Sequence, residues 1–264
     1  MTKEYVRNAV ASSILMTSFS VSPLSGAVVF GTSATTNFGE RSGTGVTTVG
    51  ATVDDSDGGS GTLDALVIST NARGTAAGQA SITSPIPTVR GRSQSTGSND
   101  VARGNAAANG AYRFDGPTAG TISFSYAFTA TQSASDGAAT FFRAQGALLT
   151  DVTDLYFGRS SYFEGGGILE DSFSSTFDNE DDPASISELG TLTMAVEPGQ
   201  IFNVLLAVQT SAGGALANAD AFSTLTGTLT SDVVGGTFTV IPEPSSLAFL
   251  ALGGLVLARR RRVR

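Results

Sequence analysis

Aspartate and glutamate offer the widest choice of chemistry in this sequence, because histidine and cysteine are absent. Carboxylates concentrate in two short clusters, and calcium favours several such oxygens on a turning backbone. The first cluster fails as an EF-hand loop, since counting from Asp54 or Asp55 puts Ala65 or Leu66 where the bidentate glutamate belongs. We therefore expect both clusters to form solvated turns, with weak calcium binding as the alternative. The clusters are Asp54, Asp55 and Asp57, and Asp178, Glu180, Asp181 and Asp182.

The absence of histidine and cysteine also limits the possible catalytic chemistry. It excludes Ser-His-Asp triads, Cys-His dyads and zinc sites that use these ligands. No Gly-Lys pair can form a phosphate-binding P-loop, and the segment that starts at Gly43 lacks the third glycine of a dinucleotide-binding pattern. Two carboxylates facing a sugar cleft would still support glycoside hydrolysis, but spacing in sequence does not give their separation in space. The prediction is a protein that is not an enzyme and has no cofactor.

Segments of β-type composition recur along the chain, and helical periodicity is scarce. In the clearest segment, Ile122, Phe124, Tyr126 and Phe128 alternate with small polar residues, which predicts a half-buried strand of an antiparallel sheet. Glycine turns are predicted at 197–200 and at 235–236. The pattern predicts an all-β fold with a single antiparallel β-sandwich domain of jelly-roll type. The predicted strands lie within 45–53, 62–70, 120–131, 138–149, 191–196, 201–210, 222–230 and 236–241.

Residues 71–110 differ from the rest of the chain in composition. They are rich in glycine, alanine, serine, threonine, asparagine and arginine, and they contain few large apolar residues. This composition predicts a mobile loop, because the segment lacks the apolar area that ordering requires. A domain boundary is the alternative, but the preceding part is too short to fold independently. Four arginines of this segment could fold back onto the acidic body, namely Arg73, Arg90, Arg92 and Arg103.

The C-terminal residues combine three features in a fixed order. Pro242, Glu243 and Pro244 precede an apolar run at 247–258, and a group of arginines follows. As a helix the run spans about 20 Å, against about 30 Å for a hydrocarbon core, so it crosses a bilayer only marginally. Arginines directly after such a run hold that end in the cytoplasm and leave the preceding chain outside. They are Arg259, Arg260, Arg261, Arg262 and Arg264.

This tripartite tail, at 242–264, resembles a PEP-CTERM sorting signal. The resemblance implies recognition by an exosortase, a membrane-embedded cysteine transpeptidase of Gram-negative bacteria that also make exopolysaccharide, with cleavage near the motif. It also implies that the inner membrane is a transient anchor and that the final location is the cell surface or the exterior. A plain tail anchor, which would keep the hydrophobic end in the membrane, is the alternative.

The N-terminal residues predict a signal peptide at 1–27. Lys3 and Arg7 precede an apolar, small-residue stretch at 9–21, and Ser25 and Ala27 offer small side chains at the cleavage positions. Removal of both ends leaves an exported domain at 28–241, with eight of the 15 basic and 21 of the 23 acidic residues, a formal charge of −13. A domain this acidic lacks the basic surface that nucleic acid or anionic lipid requires.

The expected role is that of an exported cell-surface or extracellular-matrix protein associated with exopolysaccharide or a biofilm. The association with exopolysaccharide rests on the family resemblance, whereas export and acidity follow from the residues. A lectin-like carbohydrate-binding module is the rival. Sugar-binding faces usually stack on tryptophan or tyrosine, and the predicted mature chain has no tryptophan. Its tyrosines are Tyr112, Tyr126, Tyr156 and Tyr162.

Overall fold

All regular structure in the described part of the chain is β-strand. The computed structural model describes residues 31–42, 45–48, 53–58, 63–83, 86–135, 138–156, 164–178 and 185–241. None of these ranges holds a helix long and apolar enough to cross a bilayer. The predicted signal peptide at 1–27 and the predicted tail helix lie outside the described residues. The strands are β1 (Gly31–Ser42), β2 (Gly45–Thr48), β3 (Val53–Gly58), β4 (Leu63–Asn71), β5 (Gly74–Thr83), β6 (Ile86–Ser95), β7 (Asp100–Asp115), β8 (Gly120–Ser133), β9 (Ala139–Tyr156), β10 (Glu164–Asp178), β11 (Ser185–Val196), β12 (Ile201–Gly213), β13 (Asn218–Ser231) and β14 (Thr237–Val240).

These strands form two antiparallel sheets. The large sheet has the order β10-β9-β12-β7-β1-β2, with β14 also paired to β7 and β3 also paired to β1. The small sheet has the order β11-β8-β13-β6-β5-β4. The strands β6 to β13 follow the connectivity of a double-sheet jelly roll, with β7-β12-β9-β10 in one sheet and β6-β13-β8-β11 in the other. The predicted all-β antiparallel fold is confirmed.

One hydrophobic core lies between the two sheets. The predicted alternation along β8 is confirmed, because Ile122, Phe124 and Phe128 are buried while the intervening small residues lie on the outer face. The large sheet contributes apolar side chains such as Phe142 and Leu206 to the same core. The sandwich is therefore stabilised by side chains that alternate inward from both sheets.

The prediction of a mobile loop at 71–110 is wrong. This segment forms β5, β6 and most of β7, and β7 is an inner strand of the large sheet. Its small residues let the sheets approach closely: a Cβ on Gly104 would overlap the carbonyl oxygens of Ala77 and Arg92 in the opposite sheet. Close contact between backbones therefore orders a segment that has few large apolar side chains.

Arg73 ties the two sheets together at one end of the sandwich. It lies in the turn between β4 and β5, and its guanidinium forms ion pairs with Glu40 of β1 and Asp100 of β7, each at 3.0 Å. Arg92 of β6 lies 3.7 Å from the carboxylate of Asp220 on β13. These two arginines of the 71–110 segment thus form ion pairs with acidic residues, and the backbone that carries them is ordered.

Each predicted β-segment contains or overlaps a strand. Besides the strands of the segment at 71–110 and most of β3, which was predicted as a turn, β1 and β10 were not predicted. Both contain apolar residues four positions apart with only polar residues between them, namely Ala34 and Phe38 in β1 and Phe173 and Phe177 in β10. This spacing lacks the period of two that indicates a strand. The glycine turns are confirmed, with positive φ at Gly199 (81°) and Gly235 (78°).

Candidate functional site at the sheet edge that leads into the C-terminal tail

The first acidic cluster lies on a strand, so the prediction of a turn is wrong there. Residues Asp54, Asp55 and Asp57 belong to β3, where Asp55 pairs with Ala34 and Asp57 with Thr32 of β1. An extended backbone does not wrap around a cation as a calcium-binding loop does. The side chains of this cluster fall outside the described part of the chain.

The second acidic cluster starts where β10 ends. Asp178 is the last residue of β10, and its carbonyl oxygen accepts a hydrogen bond from Nε2 of Gln132 at 2.9 Å. Glu180, Asp181 and Asp182 lie outside the described residues. Among the residues that are described, no group of three or more acidic side chains is placed to hold a metal ion.

Two carboxylates lie where the outer strands of the two sheets meet, and both accept hydrogen bonds. Glu188 of β11 accepts from the hydroxyls of Tyr126 (3.3 Å) and Ser175 (2.8 Å). Asp171 of β10 accepts from the backbone N–H of Thr193 on β11, at 2.9 Å. The bonds of Glu188 and Asp171 link β10 of the large sheet to β8 and β11 of the small one.

The two tyrosines with described side chains pack inside the sandwich. Tyr112 is fully buried and stacks on Phe202, with ring centroids 5.7 Å apart. Tyr126 stacks on Phe173 at 3.8 Å, and its pKa is raised by burial and by the neighbouring Glu188. Neither ring presents a face on which a sugar could stack. Tyr156 and Tyr162 have no described side chains.

The two ends of the described domain meet beside one strand. Along one edge of β7, β1 pairs from Asp100 to Asn109, where Gly31 is the partner of Asn109. Along the same edge, β14 pairs from Tyr112 to Asp115, and the N–H of Ile241 donates to the carbonyl oxygen of Ala111 at 2.9 Å. Asn109 and Ala111 are two residues apart on a strand, so Gly31 and Ile241 lie on the order of 7 Å from each other.

Strand β14 is held on β7 by a half-buried aromatic side chain. The ring of Phe238 lies 6.0 Å from those of Phe114 and Phe202, tilted against the first and edge-on to the second. Val240 and Ile241 are also partly buried against the main core. The sequence alternates here, with Phe238 and Val240 facing the sandwich and exposed threonines between and before them.

The exposed side of β14 carries a small polar cluster. Thr239 bonds through its hydroxyl to the carboxylate of Asp115, which also accepts from Nε of Arg113 at 2.7 Å. The bond from Arg113, followed by that from Thr239, lowers the pKa of Asp115 below its ordinary value. This carboxylate therefore stays charged to lower pH in the folded state than in the unfolded state.

Gly110 lies in the gap between β1 and β14, and no side chain fits there. A Cβ on Gly110 would overlap the hydroxyl and ring of Tyr112. The Tyr112 ring therefore fills the space over the point where the chain enters and leaves the domain. Its hydroxyl has no hydrogen-bond partner among the described residues, and burial raises its pKa.

Most of the sorting motif lies outside the described residues. Ile241 is the last described residue, so Pro242, Glu243, Pro244 and the five terminal arginines follow directly, and Ser25 and Ala27 precede the first described residue. Sequence reasoning identified the strand at 236–241 but not the role of Phe238 in holding it. The alternation of Phe238 and Val240 is a signal that could have found it. No sequence signal distinguishes Gly110.

Comparison with known proteins identifies the residues that follow this edge. The family model of the PEP-CTERM protein-sorting motif matches residues 240–262. No curated protein matches the chain. Among solved structures, the enzymatically active domain of tailspike protein 4 of bacteriophage CBA120 is similar at 10% identity and a TM-score of 0.25. That match covers 67% of this chain and 19% of the tailspike chain, and it carries no argument about fold or function.

The matched motif begins at the last residue of β14 and continues into the tail. Such a motif implies export and processing by an exosortase, a membrane protein. This protein thus carries a PEP-CTERM protein-sorting motif at residues 240–262.

Proposed function

We propose that an exosortase cuts this exported protein near Pro242, Glu243 and Pro244 and releases it to the cell surface or the extracellular matrix of a Gram-negative bacterium. There it has a structural or adhesive role beside exopolysaccharide and catalyses no reaction. The sorting motif at 240–262 carries the proposal. The association with exopolysaccharide rests on the family to which that motif belongs.

The meeting of the two chain ends supports this route of export. The predicted mature start, Val28, lies three residues before Gly31, and the motif follows Ile241 directly. The chain therefore enters the described domain at Gly31 and leaves it at Ile241 at neighbouring points beside Gly110. A domain with this layout folds outside the membrane while both predicted membrane segments are still inserted, because neither has to pass around the body of the sandwich.

A single substitution tests the processing step. In a host that carries the exosortase, the wild-type chain should start near Val28, end near the Pro-Glu-Pro motif and leave the membrane fraction. Glu243→Ala should keep the tail and stay in the membrane fraction with its domain folded. The matched control is Glu197→Ala, since Glu197 also precedes a proline but lies exposed in the turn before β12. Intact mass and cell fractionation are the measurements.

Two outcomes would contradict the proposal. One is recovery of full-length protein, arginines included, from the exterior of the host that carries the enzyme. The other is equal tail removal from wild type and Glu243→Ala, which would separate processing from the motif.

A further inference from the structure

We infer that β14 is a latch on the sorting motif: the strand has to leave β7 before the membrane enzyme can cut the chain near Pro242. This inference rests on the proposed function and adds a regulated step to it. Processing would then depend on the free energy that holds β14 in the large sheet.

The fold leaves no spacer between β14 and the motif. The N–H of Ile241 donates to the carbonyl oxygen of Ala111, so pairing with β7 extends to the residue before Pro242. The pairing cannot extend past this point, because Gly31 of β1 already pairs with Asn109, the next position that β14 would need on β7. The folded domain therefore holds the start of the motif at the edge of the large sheet.

The docked strand leaves little room for an enzyme. Residues 242–246 separate Ile241 from the predicted apolar run, and when fully extended they span about 17 Å. The headgroup layer occupies about 6 Å of that distance. The remaining gap of about 11 Å is close to the diameter of one α-helix with its side chains. A membrane enzyme that must surround the motif has space for at most one layer of structure there.

Release of β14 removes this restriction. Residues 237–241 would add about 17 Å of extended chain between the sandwich and the membrane. The turn before β14 contains Gly235 and Gly236, which have no side chains to restrict backbone rotation. Gly235 has a positive φ of 78°. The released segment would then reach an enzyme as an extended peptide.

The packing of β14 makes release feasible. Its inward residues Phe238 and Val240, together with Ile241, are half-buried, whereas β12 on the other side of β7 is buried along most of its length. The paired part of β14 is four residues long. Without it, β7 keeps its pairing with β1 and β12. Short terminal strands with few buried side chains open at a small fraction of the global unfolding free energy.

A disulfide tests the latch directly, because the chain contains no cysteine that could interfere. Thr239 is paired with Arg113, and both are exposed. Residues opposite each other in a hydrogen-bonded pair have Cα atoms about 5.5 Å apart, which a disulfide spans. The variant Arg113→Cys with Thr239→Cys should lose its tail about tenfold or more slowly than wild type in the host that carries the enzyme. A reducing agent should restore the wild-type rate, and each single-cysteine variant is a matched control.

Two further variants test the latch without a disulfide. Phe238→Ala, which removes the ring that contacts Phe114 and Phe202, should speed tail removal. A Gly-Ser spacer of about eight residues between Ile241 and Pro242 should restore processing in the locked variant, because it supplies the missing reach. Thermal unfolding of each purified variant reports whether the sandwich is intact.

The outcomes separate this inference from the proposed function. Tail removal from the disulfide-locked protein at the wild-type rate, with no effect of Phe238→Ala, would overturn the latch and leave exosortase processing in place. A wild-type chain that keeps its tail in the host carrying the enzyme would instead overturn the proposed function itself. A locked variant that resists cleavage and is rescued by the spacer supports both.

Discussion

Tyr112 carries a hydroxyl into the core without a hydrogen-bond partner among the described residues. A buried polar group without a partner loses its hydration and gains nothing in return, at a cost of about 1–3 kcal/mol. The ring itself stacks on Phe202 and fills the space over Gly110. The aromatic ring therefore stabilises the fold, whereas the hydroxyl does not.

The substitution Tyr112→Phe should keep or increase stability. It retains the ring and removes the unpaired hydroxyl, so the free energy of unfolding should stay the same or rise by about 1 kcal/mol. Denaturation in urea, with the domain at 28–241, is the measurement. A loss of more than about 1 kcal/mol would show that the hydroxyl has a partner, such as a bound water.

The same variant tests how the stability of the domain depends on pH. Burial raises the pKa of Tyr112 in the folded state, and in the unfolded chain a tyrosine titrates near pH 10. The folded state therefore keeps a proton that the unfolded state loses, and stability falls as the pH rises above about 10. Tyr112→Phe should lose less stability than wild type between about pH 9 and pH 11. Equal losses would mean that this phenol ionises freely in the folded protein.

At the scale of the elements, β7 decides how the sandwich is assembled. It pairs with β12 on one side and with β1 and β14 on the other. Its small residues also bring it against β5 and β6 of the opposite sheet. The strand therefore joins the two sheets and both ends of the domain.

The substitution Gly104→Ala should be strongly destabilising. Its Cβ would overlap backbone carbonyl oxygens of Ala77 and Arg92, which cannot move aside as a flexible side chain can. Forcing an extra methyl group into such a contact costs about 3 kcal/mol. The urea midpoint should fall accordingly.

Gly199→Ala provides the comparison for this variant. Apart from its chain neighbours, no atom of the described residues lies within 4 Å of the position of its Cβ, so its cost comes from the positive φ of 81°, about 1 kcal/mol. A stability of Gly104→Ala equal to that of Gly199→Ala would contradict the close approach of the two sheets.

At the scale of the whole molecule, the arginine end sets the orientation of the chain in the membrane. Moving five guanidinium groups through hydrocarbon costs far more than leaving them in the cytoplasm. Changing Arg259, Arg260, Arg261, Arg262 and Arg264 to serine should let the tail slip through the membrane, so that unprocessed protein escapes. The same positions changed to lysine are the control, because lysine keeps the charge and the orientation. Unchanged processing and retention in the serine variant would contradict this role of the arginines.

The sequence by itself determined what does not depend on distant contacts. The order of Pro242, Glu243 and Pro244, an apolar run and the arginines is local, and the alternation of Ile122, Phe124 and Phe128 reports burial on one face of a strand. The sorting motif and the all-β fold class could therefore be predicted from the residues.

Only the tertiary structure decided how the segment at 71–110 is ordered and where the chain ends lie. The segment around Gly104 is ordered by close contact with backbone atoms of the opposite sheet. The amino-acid composition of a segment does not report such contacts. The meeting of Gly31 and Ile241 beside Gly110 depends on which strands share one edge of β7. Both features arise from pairing between residues far apart in sequence, which local periodicity does not encode.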